Sequence, residues 1–105
     1  MDFSKPANVG VYDAVLCLEV GEHIPERYEK IFIDNITKAT RKYIVMSWAV
    51  IGQGGKGHVN CRDNKYIISA IERRNFVYLQ EPSLFLRKSC GISWFKNTLM
   101  VFKIK

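Results

Sequence analysis

Residues 12–25 read YDAVLCLEVGEHIP, and this stretch decides the fold. Ala14-Val15-Leu16-Cys17-Leu18 is a continuous apolar run, the pattern of a strand buried on both faces. It breaks at once into Glu19, Gly21, Glu22 and His23, and Pro25 opens a helical pattern. Proline suits the first turn of a helix, where its missing N–H costs nothing, and Glu26 and Glu29 favour the positive end of the helix dipole. Buried strands of open α/β sheets deliver polar side chains at their carboxyl ends, where ligands bind. Glu19, Glu22 and His23 are therefore the first candidate site. The imidazole is a general base near neutrality, with a neighbouring carboxylate to orient it. Alternatively, the three ligate a hard cation such as magnesium, which takes carboxylate oxygens. A plainer alternative makes Glu22 and His23 exposed loop residues, with Glu19 satisfying a local amide.

Working outward, Tyr28, Phe32, Ile36 and Ala39 fall on one face at helical spacing, and Arg41 and Lys42 are expected to close that helix. Residues 43–50, YIVMSWAV, read as a second buried strand, followed by a glycine-rich loop at 51–62, IGQGGKGHVNCR. A second helix is expected from about Asn64 to Arg74, capped by Asp63 or Asn64, with Asn75 in the left-handed conformation at its end. Phe76–Leu79 and Thr98–Ile104 read as strands, with a less regular segment between them that contains Pro82 and Gly91. Strands alternating with helices predict an α/β fold with a parallel sheet, the last two strands pairing antiparallel. Residues 1–10 read as a loose leader and residues 11–105 as the folded unit.

Gly52, Gly54 and Gly57 spell GxGxxG directly after a strand. A dinucleotide turn requires those glycines to open a helix whose N-terminus faces the pyrophosphate. Here His58-Val59-Asn60-Cys61-Arg62 intervenes before any helical pattern, and no Ser or Thr follows Lys56 to make a P-loop. The glycines are expected instead to make a mobile loop or lid near a substrate, closed by backbone contacts. His58 and Asn60 are its candidate substrate-binding residues, and Trp48, at the end of the second strand, is a candidate apolar wall.

At 105 residues, 48 % apolar and 25 % charged, the chain has the size and composition of one globular domain. No apolar run approaches the ~20 residues that span a bilayer. The first ten residues, MDFSKPANVG, lack the basic-then-apolar order of a secretory signal. Cys17, Cys61 and Cys90 are odd in number and far apart, which argues against a disulfide framework or a structural zinc site. A reducing, cytoplasmic location is expected. The net charge of +6 is uneven: residues 1–40 carry four basic and seven acidic groups, residues 41–105 twelve and three. The basic charges are scattered rather than striped, so a solvated surface is expected and nucleic-acid binding is not.

Several segments resemble one family in order along the chain. LEVGEHIP at 18–25, YIVMSWAV at 43–50, GQGGKGHVN at 52–60 and NTLMVFK at 97–103 resemble the C-terminal half of class I S-adenosylmethionine-dependent methyltransferases, in the group whose fourth strand ends in a LEVxEHxP-type motif. The resemblance covers about residues 11–105. It implies a partial Rossmann-like methyltransferase fold: strands 4-5-7-6 of a sheet ordered 3-2-1-4-5-7-6, with strand 7 antiparallel and strands 1–3 absent. Strand 4 would be Val11–Leu18, strand 5 Tyr43–Val50, strand 6 Phe76–Leu79 and strand 7 Thr98–Ile104. It further implies that Leu18, Glu19 and Val20 lie beside the methionine and ribose of the cofactor, with Glu19, Glu22 and His23 around the methyl acceptor or a magnesium ion.

The family's glycine-rich loop after strand 1 and acidic residue after strand 2 have no place in this chain. It is therefore expected to be inactive or weakly active alone, as a truncated domain. An unpaired central strand invites pairing with another chain, so a homodimer or a partner carrying strands 1–3 is expected at the strand-4 edge. The alternative is a non-catalytic interaction module that pairs through that same edge.

Overall fold

In the computed structural model, which describes residues 10–53, 55 and 57–105, the apolar run of the opening motif forms a strand, β1, over Tyr12–Leu18. Three more strands follow: β2 at Thr40–Ser47, β3 at Phe76–Tyr78 and β4 at Met100–Ile104. Three helices join them: α1 at Glu29–Lys38, α2 at Asn64–Glu72 and α3 at Gln80–Ser89. The expected leader, apart from Gly10, lies outside the described residues, as do Gly54 and Lys56. Among the described residues no helix is long and apolar enough to cross a membrane.

The sheet runs β1-β2-β4-β3, with β1 and β2 parallel and β4 antiparallel to both of its neighbours. This is the order the family resemblance implies. Register places Val15, Ile44 and Phe102 side by side, and Cys17, Met46 and Met100 beside them two residues on. Side chains two apart share a face, so these residues form one apolar surface. Phe32, Ile33 and Ile36 of α1 and Ile67, Ala70 and Ile71 of α2 cover it to make the core. Their three- and four-residue spacings are those of amphipathic helices.

The opposite face corrects the expectation of a strand buried on both sides. Leu16, in the middle of β1, is 69 % exposed, and Tyr43, two residues from its partner Val45 and on the same face of β2, is also exposed. The physical reason is that α1 and α2 lie on the same side of the sheet. Among the described residues β1 stands at the end of the sheet, paired with β2, and no helix of the core covers Leu16.

Several boundaries differ from the sequence reading. Strand β2 spans Thr40–Ser47 rather than 43–50, because its ladder with β1 runs from Tyr12–Thr40 to Leu18–Ser47. Helix α2 ends at Glu72 rather than Arg74, and β4 starts at Met100 rather than Thr98. Helix α1 follows a short turn at Glu26–Tyr28 after Pro25 and ends at Lys38, so Arg41 and Lys42 open β2 rather than closing the helix. The Thr40 hydroxyl, buried, donates to the Ile36 carbonyl at 2.8 Å, and Tyr12 N–H donates to the Ala39 carbonyl at 2.8 Å. Together these pull the chain out of the helix and into the parallel ladder. The segment expected to be irregular contains α3, whose first turn accommodates Pro82 because N–H groups there have no intrahelical acceptor. Its buried Ser83 hydroxyl donates to the Leu79 carbonyl at 2.6 Å and accepts from Val101 N–H at 2.8 Å, extending the edge of β4 where β3 stops. Helix α2 begins after Asp63 without a side-chain cap, and Asn64 instead donates to the Asn97 carbonyl at 2.6 Å. Asn75 is left-handed, φ 70°, as expected.

Candidate functional site

At the carboxyl end of β1 the backbone turns sharply at Glu19, whose φ of 53° is left-handed and uncommon for a non-glycine residue. Glu19 N–H donates to Ser47 Oγ at 3.0 Å, and that hydroxyl donates to Glu19 Oε2 at 3.1 Å. Gln53 donates to Glu19 Oε1 at 2.9 Å. The turn therefore holds the first carboxylate against the end of β2 and the glycine loop. A short helical turn over Gly21–His23 then brings the second carboxylate inward.

Glu22 is fully buried. Its Oε1 accepts from Ala49 N–H at 3.1 Å, and its carbonyl accepts from Val59 and Asn60 N–H at 2.9 and 3.0 Å. Among the described residues its Oε2 has no hydrogen-bond partner, and it lies 3.5 Å from His23 Nε2. His23 Nδ1 is 3.0 Å from the Gly57 carbonyl, and the His23 and His58 rings meet edge-on at 5.0 Å between centroids. Val59 and Asn60 N–H to the Glu22 carbonyl, and the Gly57 carbonyl to the His23 ring, hold the glycine loop against this turn. Among the described residues the next helix after its glycines begins at Asn64.

These elements enclose one side of an open cavity of about 780 Å³, within the size range of small-molecule sites. Glu19, Glu22, His23 and His58 line it together with Gln53. Its far side is made by Ser93, Trp94, Asn97 and Thr98, between α3 and β4. Those four were not candidates in the sequence. The available signal was Trp94, a large aromatic in a polar stretch, which stands 52 % exposed.

The other predicted residues stand behind the wall. Leu18 and Val20 flank Glu19 at the strand end and do not line the cavity. Trp48 is fully buried, packs edge-on against Phe32 at 5.8 Å and donates from Nε1 to the Asn60 carbonyl at 2.7 Å. The Asn60 side chain donates to Glu29 Oε1 at 2.9 Å. Trp48 and Asn60 thus fix the loop from inside the core.

Glu29, at the start of α1, is the anchor beneath them. Its carboxylate accepts from Asn60, from Arg62 Nε at 2.8 Å and from the Tyr66 hydroxyl. Burial alone would raise its pKa, but the hydrogen bonds from Tyr66, Asn60 and Arg62, with the Arg62 charge, hold it below the ordinary carboxylate value. Cys17, in the core behind Glu22, has its thiol pushed up to about 12, by burial first and the Glu22 charge second. It is expected to resist iodoacetamide at pH 8 in the folded chain while Cys61 and Cys90 react. Peptide mapping that found Cys17 alkylated as fast as the others would show that β1 opens readily.

No family model and no curated protein matches this chain. Solved structures do. The whole chain superposes on 49 % of magnesium protoporphyrin IX methyltransferase (ChlM) from Synechocystis PCC 6803 with bound SAH, at a TM-score of 0.70 and 15 % identity. It also covers 29 % of a pericyclic reaction enzyme, at a TM-score of 0.61 and 12 % identity. At these identities the likeness is one of fold. The chain spans about half the length of the methyltransferase it matches, so it has the fold of part of such a domain.

Proposed function

We propose that this chain is the acceptor-side half of an S-adenosylmethionine-dependent methyltransferase. The observation that carries this reading is the superposition of the entire chain on half of a methyltransferase with bound SAH, together with a sheet whose fourth strand is inserted antiparallel. The acidic lining supports it, because Glu19 and Glu22 complement the positive charge of a sulfonium.

S-adenosylmethionine, when bound, supplies an electrophilic methyl group: an acceptor lone pair bonds to that carbon while the carbon–sulfur bond breaks and leaves its electrons on sulfur. The rest is positioning and proton handling. Because the Gly57 carbonyl can only accept, a neutral His23 ring carries its proton on Nδ1 and presents a lone pair at Nε2. That lone pair takes the proton of the acceptor, and Glu22 Oε2, 3.5 Å away, stabilises the imidazolium. Glu19 faces the donor side of the cavity with Leu18 and Val20 flanking it, and His58 closes over the acceptor.

In this reading the donor-holding strands, on this polypeptide or another, complete the site, and the described residues alone hold the donor poorly. Titration of isotope-labelled chain with millimolar S-adenosylhomocysteine is expected to shift the amide resonances of Leu18, Glu19 and Val20, with weak affinity. Shifts that spare these residues would overturn the assignment of the cofactor side. Low-micromolar binding by a strictly monomeric chain would overturn the need for a second half.

A second reading, an interaction module that pairs through β1, is supported by the exposure of Leu16 and by the position of that strand at the end of the sheet among the described residues. A concentration-dependent dimer in analytical ultracentrifugation, abolished by Leu16→Lys, is its expected signature. A monomer at all concentrations argues against self-pairing.

A further inference from the structure

While His23 is neutral, Glu22 and His23 leave an electrostatic imbalance that hydrogen bonding among the described residues does not resolve. With its proton committed through Nδ1 to the Gly57 carbonyl at 3.0 Å, a neutral His23 turns the Nε2 lone pair toward Glu22 Oε2. Two acceptors then face each other across 3.5 Å, and the carboxylate oxygen is buried with no donor. Such an orphaned buried acceptor is destabilising, and more so when it is charged. A cation between the two atoms removes the conflict. His58 stands beside them: one ligand atom from each of Glu22, His23 and His58 lies within 4.8 Å of the others. The loop admits the His58 ring because residue 55 is glycine, where a Cβ would fall 2.3 Å from the imidazole.

We propose that Glu22 Oε2, His23 Nε2 and a ring nitrogen of His58 form a binding site for a divalent transition ion of the zinc type. Tetrahedral ligands at ~2.0–2.1 Å from zinc stand about 3.4 Å from one another, so the Glu22–His23 pair is already at ligating separation and His58 closes the remaining gap. Two imidazoles and one carboxylate suit zinc, cobalt or nickel and not magnesium, which takes oxygen ligands. The set also differs from the Glu19, Glu22 and His23 trio expected from sequence, because Ser47 and Gln53 hold Glu19. The Gly57 carbonyl plays the outer-shell part that metal-ligating histidines require, and the fourth position opens on the cavity. The ion takes the same lone pair that proton acceptance would use, so metal loading and base catalysis by His23 are alternatives at one atom.

The test is titration of the chelator-treated full chain with zinc, and with cobalt as a spectroscopic probe. Its readout is metal binding, so it stands or fails separately from methyl transfer. One equivalent is expected to bind at micromolar concentration, with the visible absorption of low-coordinate cobalt, while millimolar magnesium does not compete. His58→Ala, on the partly exposed loop, is expected to weaken binding at least tenfold without altering the circular dichroism of the fold, and His23→Ala more so. The proposal is overturned by absence of binding at 100 µM metal, by affinity unchanged in both variants, or by a thiolate charge-transfer band placing the ion on cysteine.

Discussion

Gly21→Ala is expected to destabilise the chain by about 3 kcal/mol, the upper end of the cost of overpacking a core. A Cβ at residue 21 would lie 2.3 Å from Cε3 and Cζ3 of Trp48, far inside contact distance. The indole has nowhere to go: it is fully buried, abuts Phe32 and is tethered through Nε1 to the Asn60 carbonyl. At a glycine with an ordinary backbone conformation, alanine usually stabilises by about 0.4–1 kcal/mol through the unfolded state, so the sign of the change isolates the clash. The expected readout is a urea midpoint well below the parent's and a melting temperature lower by roughly 10 °C or more. Trp48→Leu in the same chain should recover part of the loss, a coupling that a double-mutant cycle measures. A Gly21→Ala chain as stable as its parent would show that the ring is not wedged against the turn.

The second large effect concerns Glu29. Removing its carboxylate with alanine leaves Arg62, Asn60 and Tyr66 aimed at a gap, and breaking a buried pair in this way costs about 3–5 kcal/mol. Arg62 keeps partial contact with water and with Glu26, at 3.3 Å, so about 2–3 kcal/mol is expected. The pH dependence has a definite sign. The folded carboxyl titrates below its unfolded value of about 4.3, so its stabilising contribution is complete above that pH and is lost as pH falls through the folded pKa. Urea midpoints measured from pH 6 to pH 3 should decline, and Glu29→Gln should flatten part of that decline. Equal slopes for both chains would remove Glu29 from the explanation of acid sensitivity.

Much of the architecture was legible because it rests on short-range patterns. The alternation of apolar strands with three- and four-spaced helices gave β1, α1, β2 and α2 in order, and Asn75 marked a left-handed stop. What escaped depended on partners distant in sequence. Burial of β1 on both faces needs a second layer, and a run of apolar residues cannot reveal that, among the described residues, the helices packed on it cover one face. Arg41 and Lys42 looked like cations closing a helix; the parallel ladder begun by Tyr12 and Ala39 makes them strand residues. Helix α3 leaves Leu84 and Phe85 in solvent and turns Ser83, Leu86 and Arg87 inward, so its apolar residues do not mark its buried face.

The candidate site divides in the same way. Glu19, Glu22 and His23 were conspicuous as a cluster, but their division of labour was not. The left-handed turn at Glu19 sends one carboxylate to Ser47 and Gln53, and Ala49 N–H fixes the other beside the imidazole. His58 reaches His23 from 35 positions away through a loop whose glycines the sequence displays without showing what they admit.

The placement of β4 also governs when the domain can come into being. The strand made last among the described residues is the one that joins β2 to β3, so the two halves of the sheet share no ladder before residues 100–104 are available. A nascent chain on the ribosome would hold α1, α2 and the β1–β2 pair with an unfinished edge until then. Synthesis at about 5–20 residues per second makes that interval several seconds long, a window in which the exposed strands are open to chaperones or to aggregation.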